Sequence, residues 1–309
     1  MKSKLLLLLA LSFLLACSSE KSKMQADINN LETALEETPN TENAKALIDA
    51  YQAYIDANPD DVEQNARYLY RSAGVQFRMN QFSGAVEALN QGLKDYYAAS
   101  ITPSSAELLG VIYSEKLRNQ ENANTIHQAM VQAFPDFEKI DEIKAKLEKA
   151  NLPPIETRIE NLGQRMFNDS LGRIEYRIAN DFINSCQLHA MLLPGSEKSP
   201  EFLHKAGETA RSIRAYSKAL EFYEWICEQY PNYEKAPQAL FLRAFTLDND
   251  LGKIEEARVL YEEFLEKYPE DDFADDTQFL LENLGKDDEE IINSFNAQEQ
   301  SSEQPETED

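Results

Sequence analysis

Apolar residues recur along most of the chain at the spacing of one helix face. Between positions 257 and 265, for example, apolar residues stand at i, i+3, i+4, i+7 and i+8, and three of the four positions between them are charged. This spacing puts the apolar side chains on one stripe of an α-helix. Glycine and proline are scarce, 10 and 12 of 309 residues, and fall at fixed places in this pattern. The pattern predicts an all-α fold of short helices whose apolar stripes must be covered by neighbours.

The helical pattern also repeats over a long distance. Residues 47–54, which precede Pro59, have a counterpart in residues 182–189, which precede Pro194, an offset of 135 residues. Gly74 and Gly207 follow in similar surroundings at an offset of 133 residues. The prolines at 153 and 154 disfavour helix at the seam. We therefore predict two related halves, residues 28–150 and 156–295, with a proline-rich linker at 151–155.

A shorter period of helix pairs lies within each half. Each pair has a small residue inside its first helix and an alanine followed by bulky residues in its second. The residues that carry this pattern are Tyr70, Ala73, Gly74, Phe77, Ala85 and Leu89; Ala106, Leu109, Gly110, Tyr113, Ala123, His127, Met130 and Pro135; Leu203, Ala206, Gly207, Ala219, Tyr223, Ile226 and Pro231; and Leu240, Ala244, Leu247, Ala257, Tyr261, Phe264 and Pro269. They resemble the tetratricopeptide repeat, a helix pair of about 34 residues that stacks into a solenoid.

The resemblance implies a protein-binding groove lined by the first helix of each pair. The family's usual ligand-facing positions, carried over by position, predict groove residues in three repeats, with the arginines and phenylalanines as the strongest candidates. An arginine there could instead pair with one of the many carboxylates. The groove candidates are Tyr68, Arg71, Val75 and Arg78; Glu201, His204, Glu208 and Arg211; and Gln238, Phe241, Phe245 and Asp248.

The N-terminus has the pattern of an export signal. Lys2 and Lys4 precede the apolar run 5–15, which is shorter than the roughly 20 residues of a membrane-spanning helix. The residues before Cys17 resemble the bacterial lipobox, which implies cleavage after residue 16 and acylation of Cys17. The alternative is an ordinary signal peptide that happens to contain this cysteine. We expect residues 17–27 to form a flexible tether. Ser18, in place of aspartate, implies an outer-membrane lipoprotein, with the periplasmic face as the expected side.

Composition and residue spacing argue against several classes of function. The formal net charge is −25, with 55 acidic against 30 basic residues, which argues against nucleic acid as a partner. The three histidines stand far apart, so no metal site is expected, and no nucleophile elbow or phosphate-binding glycine loop is present. Cys186 and Cys227 are expected to be buried thiols, a disulfide being the alternative. We expect Trp225 to pack in the core rather than on a binding surface, and residues 296–309 to be a disordered acidic tail.

These features together predict an anchored scaffold without enzymatic activity, cofactor or metal. The last repeats resemble those of two Gram-negative envelope families: the Tol-Pal-associated periplasmic repeat protein and the repeat lipoprotein of the β-barrel assembly machinery. The expected partners are extended or helical segments of envelope proteins, together with the membrane through the N-terminal lipid. Alternatives are a surface lipoprotein for nutrient capture and an enzyme with a site at the seam near Pro153.

Overall fold

The computed structural model describes residues 2–168, 173–286 and 290. The helices of the first half are α1 Lys2–Glu37, α2 Thr41–Ala57, α3 Val62–Arg78, α4 Phe82–Asp95, α5 Thr102–Val111, α6 Gln120–Ala133 and α7 Ile140–Ala150. Those of the second half are α8 Ile155–Arg165, α9 Tyr176–Leu192, α10 Lys198–Ser212, α11 Tyr216–Gln229, α12 Ala236–Phe245, α13 Ile254–Lys267 and α14 Ala274–Glu282.

Non-α elements are short. A π-helical turn extends α5 at Ile112–Lys116, and another extends α12 at Thr246–Asp250. The two-residue strands β1 (Phe167–Asn168) and β2 (Arg173–Ile174) pair antiparallel, with residue 167 opposite 174. Within each compact unit the helices pack against their neighbours along the chain, in the manner of tetratricopeptide helix pairs. The predicted all-α, repeat-like fold class is confirmed.

The two halves are related element by element. Helices α4, α5 and α6 begin at residues 82, 102 and 120, and α11, α12 and α13 begin at 216, 236 and 254, a constant offset of 134 residues. The π-helical turns keep the same offset, beginning at 112 and 246. Even the left-handed backbone positions follow it, since 80, 118 and 151 correspond to 214, 252 and 285. The prediction of two related halves is confirmed.

The constant offset corrects the predicted alignment of the first repeat by one residue. At an offset of 134 the counterpart of Gly207 is Ala73, whereas the sequence pattern had paired Gly207 with Gly74. A Cβ atom added at Gly207 would lie 2.5 Å from Cε1 of Tyr223. At Gly74 the nearest atom, Nη1 of Arg78, would be 4.0 Å away. Ala73 is fully buried and occupies the position of close helix approach, while Gly74 lies beside it.

Specific side chains cap the helices at their N-termini, and others pack in the interfaces between helices. The Asn40 side chain accepts a hydrogen bond from the backbone N–H of Asn43 at 2.8 Å, which caps α2, and Asn119 caps α6 in the same way. Tyr51 and Tyr54 of α2 enclose the ring of Tyr68 on α3, with centroids 4.9 Å apart in both pairs. Trp225 is buried in α11, which confirms the packing interpretation. The apolar stripes are thus covered by neighbouring helices.

The chain divides into two compact units whose bounds differ from those of the predicted halves. The first comprises residues 1–160 and 188–196, and the second comprises 161–187 and 197–309. The helix does break at 151–154, where the prolines predicted it. However, Gln128 of α6 donates to the Pro153 carbonyl at 2.8 Å, and Arg158 bonds to Gln128 at 2.6 Å. These bonds hold the start of α8 on α6, so the predicted boundary at 151–155 is wrong for the packing.

The N-terminal helix corrects the predicted tether. Helix α1 continues through residues 17–27, and it packs against α2. Lys21 forms a 2.6 Å ion pair with Asp61, Gln25 donates to the Tyr54 hydroxyl at 3.2 Å, and Ile28 is buried. The prediction of a flexible segment is therefore wrong for residues 21–27, because these side chains have partners on the helices that follow.

Two further findings concern the ends of the chain. None of the helices in the described ranges combines the length and apolarity that a membrane crossing requires. The predicted acidic tail, residues 296–309, and the predicted end of the second half at residue 295 lie outside the described residues.

Candidate binding sites in the two units

The first unit contains a cavity of about 1010 Å³ between α1, α2, α3 and α5. Its floor is apolar and its rim carries charges of both signs. The lining residues are Glu32, Leu35, Glu36, Pro39, Leu47, Tyr51, Tyr70, Arg71, Gly74, Val75, Phe77, Arg78, Met79 and Leu108. We call this space the first-unit cavity. Apolar walls with a few charged groups are typical of sites that bind ligands or protein segments.

Arg71 is held in place at the wall of the first-unit cavity. Its Nη1 atom lies 2.8 Å from Oε1 of Glu32, and the same oxygen accepts a hydrogen bond from the Tyr51 hydroxyl at 2.5 Å. Burial, then the bond to Glu32, raises the pKa of Tyr51 well above its ordinary value, so the phenol remains a donor. The Arg71 guanidinium therefore already has a carboxylate partner within the protein. This agrees with the alternative to the groove prediction, in which an arginine pairs with one of the many carboxylates.

Arg78 and Arg71 are both exposed, but Arg78 differs from Arg71 in that it forms no ion pair in the described part of the chain. Next to it on α3, the Phe77 ring lies 5.2 Å from the Nζ atom of Lys116, which is a cation–π contact. Near Arg78, the first-unit cavity therefore presents an aromatic ring with two cationic groups beside it, Arg78 and Lys116, while Glu32 and Glu36 also line the cavity. The Arg78 side of the cavity favours a partner segment that presents apolar and acidic groups.

The groove prediction is wrong for Tyr68. Its side chain is buried in the α2–α3 interface and does not line the first-unit cavity. At the offset of 134 residues its counterpart is Phe202, which is buried as well. The predicted residues Arg71, Val75 and Arg78 do line the cavity. Tyr70 and Phe77 line it too, and they were missed because the first repeat had been aligned one residue off. Comparing the two halves at an offset of 134 residues would have found both.

The second unit contains a smaller cleft of about 400 Å³. It is lined by Glu208, Arg211, Ser212, Tyr223, Leu242 and Asp250. We call it the second-unit cleft. Arg211 donates from Nε to Asp250 at 2.5 Å, and its guanidinium carbon lies 4.8 Å from the centroid of the half-exposed Phe245 ring. The predicted residues Glu208, Arg211 and Phe245 therefore do lie at one place.

The groove prediction is also wrong for His204 and Phe241. His204 is buried, with its ring 6.3 Å from that of Tyr223 and its Nδ1 3.4 Å from Glu208. Phe241 is buried in an aromatic cluster, 4.8 Å from Phe273 and 6.2 Å from Phe264. Both stand where the family pattern expects a ligand contact, but neighbouring helices of the second unit cover them. Both are core residues.

The remaining reactive side chains form no catalytic constellation in the described ranges. No group of three or more His, Cys, Asp and Glu side chains there could hold a metal ion. Cys186 is buried and Cys227 half-buried, both as free thiols, and burial raises the pKa of each. Burial lowers the pKa of His127 and of His189 to about 4. Thiols and imidazoles in such surroundings are structural groups rather than nucleophiles or bases.

Comparison with known proteins agrees with the observed helix pairs. Residues 238–271, which cover most of α12 and α13, match the family model described as tetratricopeptide repeat. No curated protein sequence matches the chain at a significant level. A solved structure of the TPR2AB domain of yeast Sti1 in complex with pHSP90 is 14% identical, and the match covers 85% of this chain and 98% of that chain, with a TM-score of 0.32. A superposition this loose says nothing about what this chain binds. The second unit thus contains a tetratricopeptide repeat, and the helix pairs of both units have the form typical of that family.

Proposed function

We propose that this chain is a membrane-anchored scaffold that binds segments of other proteins in the bacterial cell envelope. The observation that carries the proposal is the first-unit cavity, whose apolar floor and rim with charges of both signs suit a protein segment better than a small polar molecule. Helix pairs of the tetratricopeptide type, which support such surfaces, add to it. The proposed processes are Tol-Pal-linked envelope organisation or outer-membrane assembly.

The proposed anchor is an acylated Cys17 in the outer membrane, with the helical units on the periplasmic side. Its support is the lipobox-like sequence before Cys17 and the charged and apolar segments that precede it. Several acyl chains would bind a bilayer firmly, because each buried CH₂ contributes about 0.8 kcal/mol.

Site-specific photo-crosslinking in cells tests the scaffold. A photoreactive residue at Leu108, in the wall of the first-unit cavity, should give adducts with partner proteins. The same residue at Val259, which is 61% exposed and outside the cavity, is the control and should give none of these adducts. Arg78→Ala should weaken the Leu108 adducts, whereas Arg177→Ala, at an 81% exposed side chain, should not. Identical adducts at both positions, unaffected by Arg78→Ala, would contradict a specific site.

A further inference from the structure

The second-unit cleft is the counterpart of the first-unit cavity. At the offset of 134 residues, Gly74, Phe77 and Leu108 of the cavity correspond to Glu208, Arg211 and Leu242 of the cleft. Arg78 corresponds to Ser212 in the same way. The duplication has therefore left one recess in each unit, built by equivalent helices. Their chemistry can be compared position by position.

The charge of the recess has changed between the halves. Lys116, which lies over the Phe77 ring, corresponds to Asp250. Glu208 replaces a glycine, and Ser212 replaces the cationic Arg78. The one change toward positive charge is Arg211, and its Nε already donates to Asp250. Among the lining side chains of the second-unit cleft two carboxylates face one guanidinium, whereas those of the first-unit cavity include two carboxylates and two guanidiniums. The second-unit cleft therefore carries a net negative charge and attracts cations more strongly than the first-unit cavity does.

An unpartnered hydroxyl is a second, independent observation at the second-unit cleft. In the second unit Gly207 packs against Tyr223, where the glycine leaves room for the ring, and the residues at the equivalent positions of the first unit are Ala73 and Leu89. Tyr223 lines the cleft and is fully buried, yet its hydroxyl has no hydrogen-bond partner among the described residues. Burial, then the Glu208 carboxylate, raises the pKa of Tyr223. The phenol therefore stays neutral and its oxygen can accept a hydrogen bond.

We propose that the second-unit cleft binds the cationic side chain of a lysine or arginine from a partner segment. The ammonium or guanidinium would donate to a carboxylate oxygen of Glu208 and to the Tyr223 hydroxyl, with Asp250 adding attraction. The molecule then offers two related recesses that differ in net charge, one in each unit.

Titration with a lysine side-chain analogue tests the second-unit cleft. The full chain, with ¹³C-labelled tyrosine rings and in detergent solution, is titrated with n-butylammonium or with n-butanol of nearly equal size. The ring signal of Tyr223, identified by its loss in Tyr223→Phe, should shift saturably with n-butylammonium and not with n-butanol. Equal responses to both probes, or no response to either, would overturn the proposal.

Two matched variants separate local binding from the general acidity of the chain. Glu208→Gln should weaken n-butylammonium binding about tenfold, the usual effect of losing one charge-assisted hydrogen bond. Glu255→Gln removes the same charge from an 87% exposed side chain outside the cleft and should change the affinity less than about twofold. Equal effects of the two variants would overturn the proposal.

Thermal unfolding of Tyr223→Phe tests the premise about the hydroxyl. The variant should unfold at a higher temperature than the parent, because it no longer buries an unpartnered polar group. A lower unfolding temperature would show that the hydroxyl has a partner within the protein and would overturn the proposed role of Tyr223. Arg78→Ala should leave n-butylammonium binding unchanged, so this proposal and that for the first-unit cavity can fail separately.

Discussion

At Gly207 a methyl group would collide with the ring of Tyr223. At Ala73, the equivalent position in the first half, the methyl group is buried and is part of the packing. The difference arises because Tyr223 is larger than its counterpart Leu89. Packing at this depth leaves no spare volume, so a change of one carbon atom must move a ring or a helix. The same substitution therefore has opposite effects at the two glycines that the sequence pattern paired.

Gly207→Ala should lower the free energy of unfolding by about 1–3 kcal/mol, because the added Cβ lies 2.5 Å from the Tyr223 ring. Gly74→Ala is the matched control within α3, where the nearest atom is 4.0 Å away. It should raise the free energy of unfolding by up to about 1 kcal/mol through helix propensity. Urea unfolding followed by circular dichroism measures both. Equal losses would show that Gly74 is also a point of close approach.

Buried histidines predict a loss of stability in mild acid. Burial lowers the pKa of His127 and His189 to about 4, below the value of about 6.5 in an unfolded chain. Between these values the unfolded state binds protons that the folded state does not. Stability is therefore complete above about pH 6.5 and falls toward pH 4, by at most about 1.4 kcal/mol per pH unit for each histidine.

Unfolding free energies at pH 7 and pH 5 measure this dependence. His127→Gln should reduce the difference between the two pH values by roughly half, since one of the two depressed histidines is gone. A pH dependence that persists undiminished in His127→Gln would mean that other groups are responsible.

Among the elements, the junction between α6 and α8 depends on one buried cation. Arg158 is buried, forms an ion pair with Glu121, and donates to the Gln128 side chain at 2.6 Å. A guanidinium removed from water is stable only when its hydrogen bonds are satisfied. These bonds hold the start of α8 against α6 within the first unit, although the prolines before α8 end the preceding helix.

Arg158→Ala should lower the free energy of unfolding by about 2–3 kcal/mol, because packing and an ion pair are lost together. Arg177→Ala, in which the removed side chain is 81% exposed and 3.5 Å from Asp181, is the control and should cost less than about 1 kcal/mol. Chemical denaturation of both variants gives the comparison. Similar small losses would mean that the junction is held by its backbone contacts alone.

For the whole molecule, the compact units predict where the chain can be cut. The hydroxyl of Tyr97 donates to the Leu192 carbonyl at 2.9 Å, and residues 188–196 belong to the first unit. A fragment ending at 196 should unfold cooperatively, whereas one ending at 152 should unfold at a lower temperature, because it lacks Arg158 and the 188–196 segment. Circular dichroism melts of the two fragments test this. Equal melting temperatures would support the boundary that the prolines suggested.

The proposed anchor also belongs to the scale of the whole molecule. Cys17→Ser should move the protein from the detergent phase to the aqueous phase in phase separation, since acyl chains supply the proposed membrane affinity. Ser18→Ala is a suitable control and should stay in the detergent phase. A Cys17→Ser protein that remains in the detergent phase would refute acylation as the anchor.

Helical periodicity and the duplicated halves could be predicted from the sequence, because one helix face recurs locally and its spacing needs no knowledge of neighbours. Which side chains on that face meet a ligand could not be predicted in the same way. Tyr68, His204 and Phe241 are buried and Phe245 is half-exposed, although all four are consistent with the repeat pattern. Burial depends on the helix packed opposite, and a one-residue change in alignment turns a side chain by about 100°. The two recesses and the difference in their net charge therefore emerge only when the helices are packed.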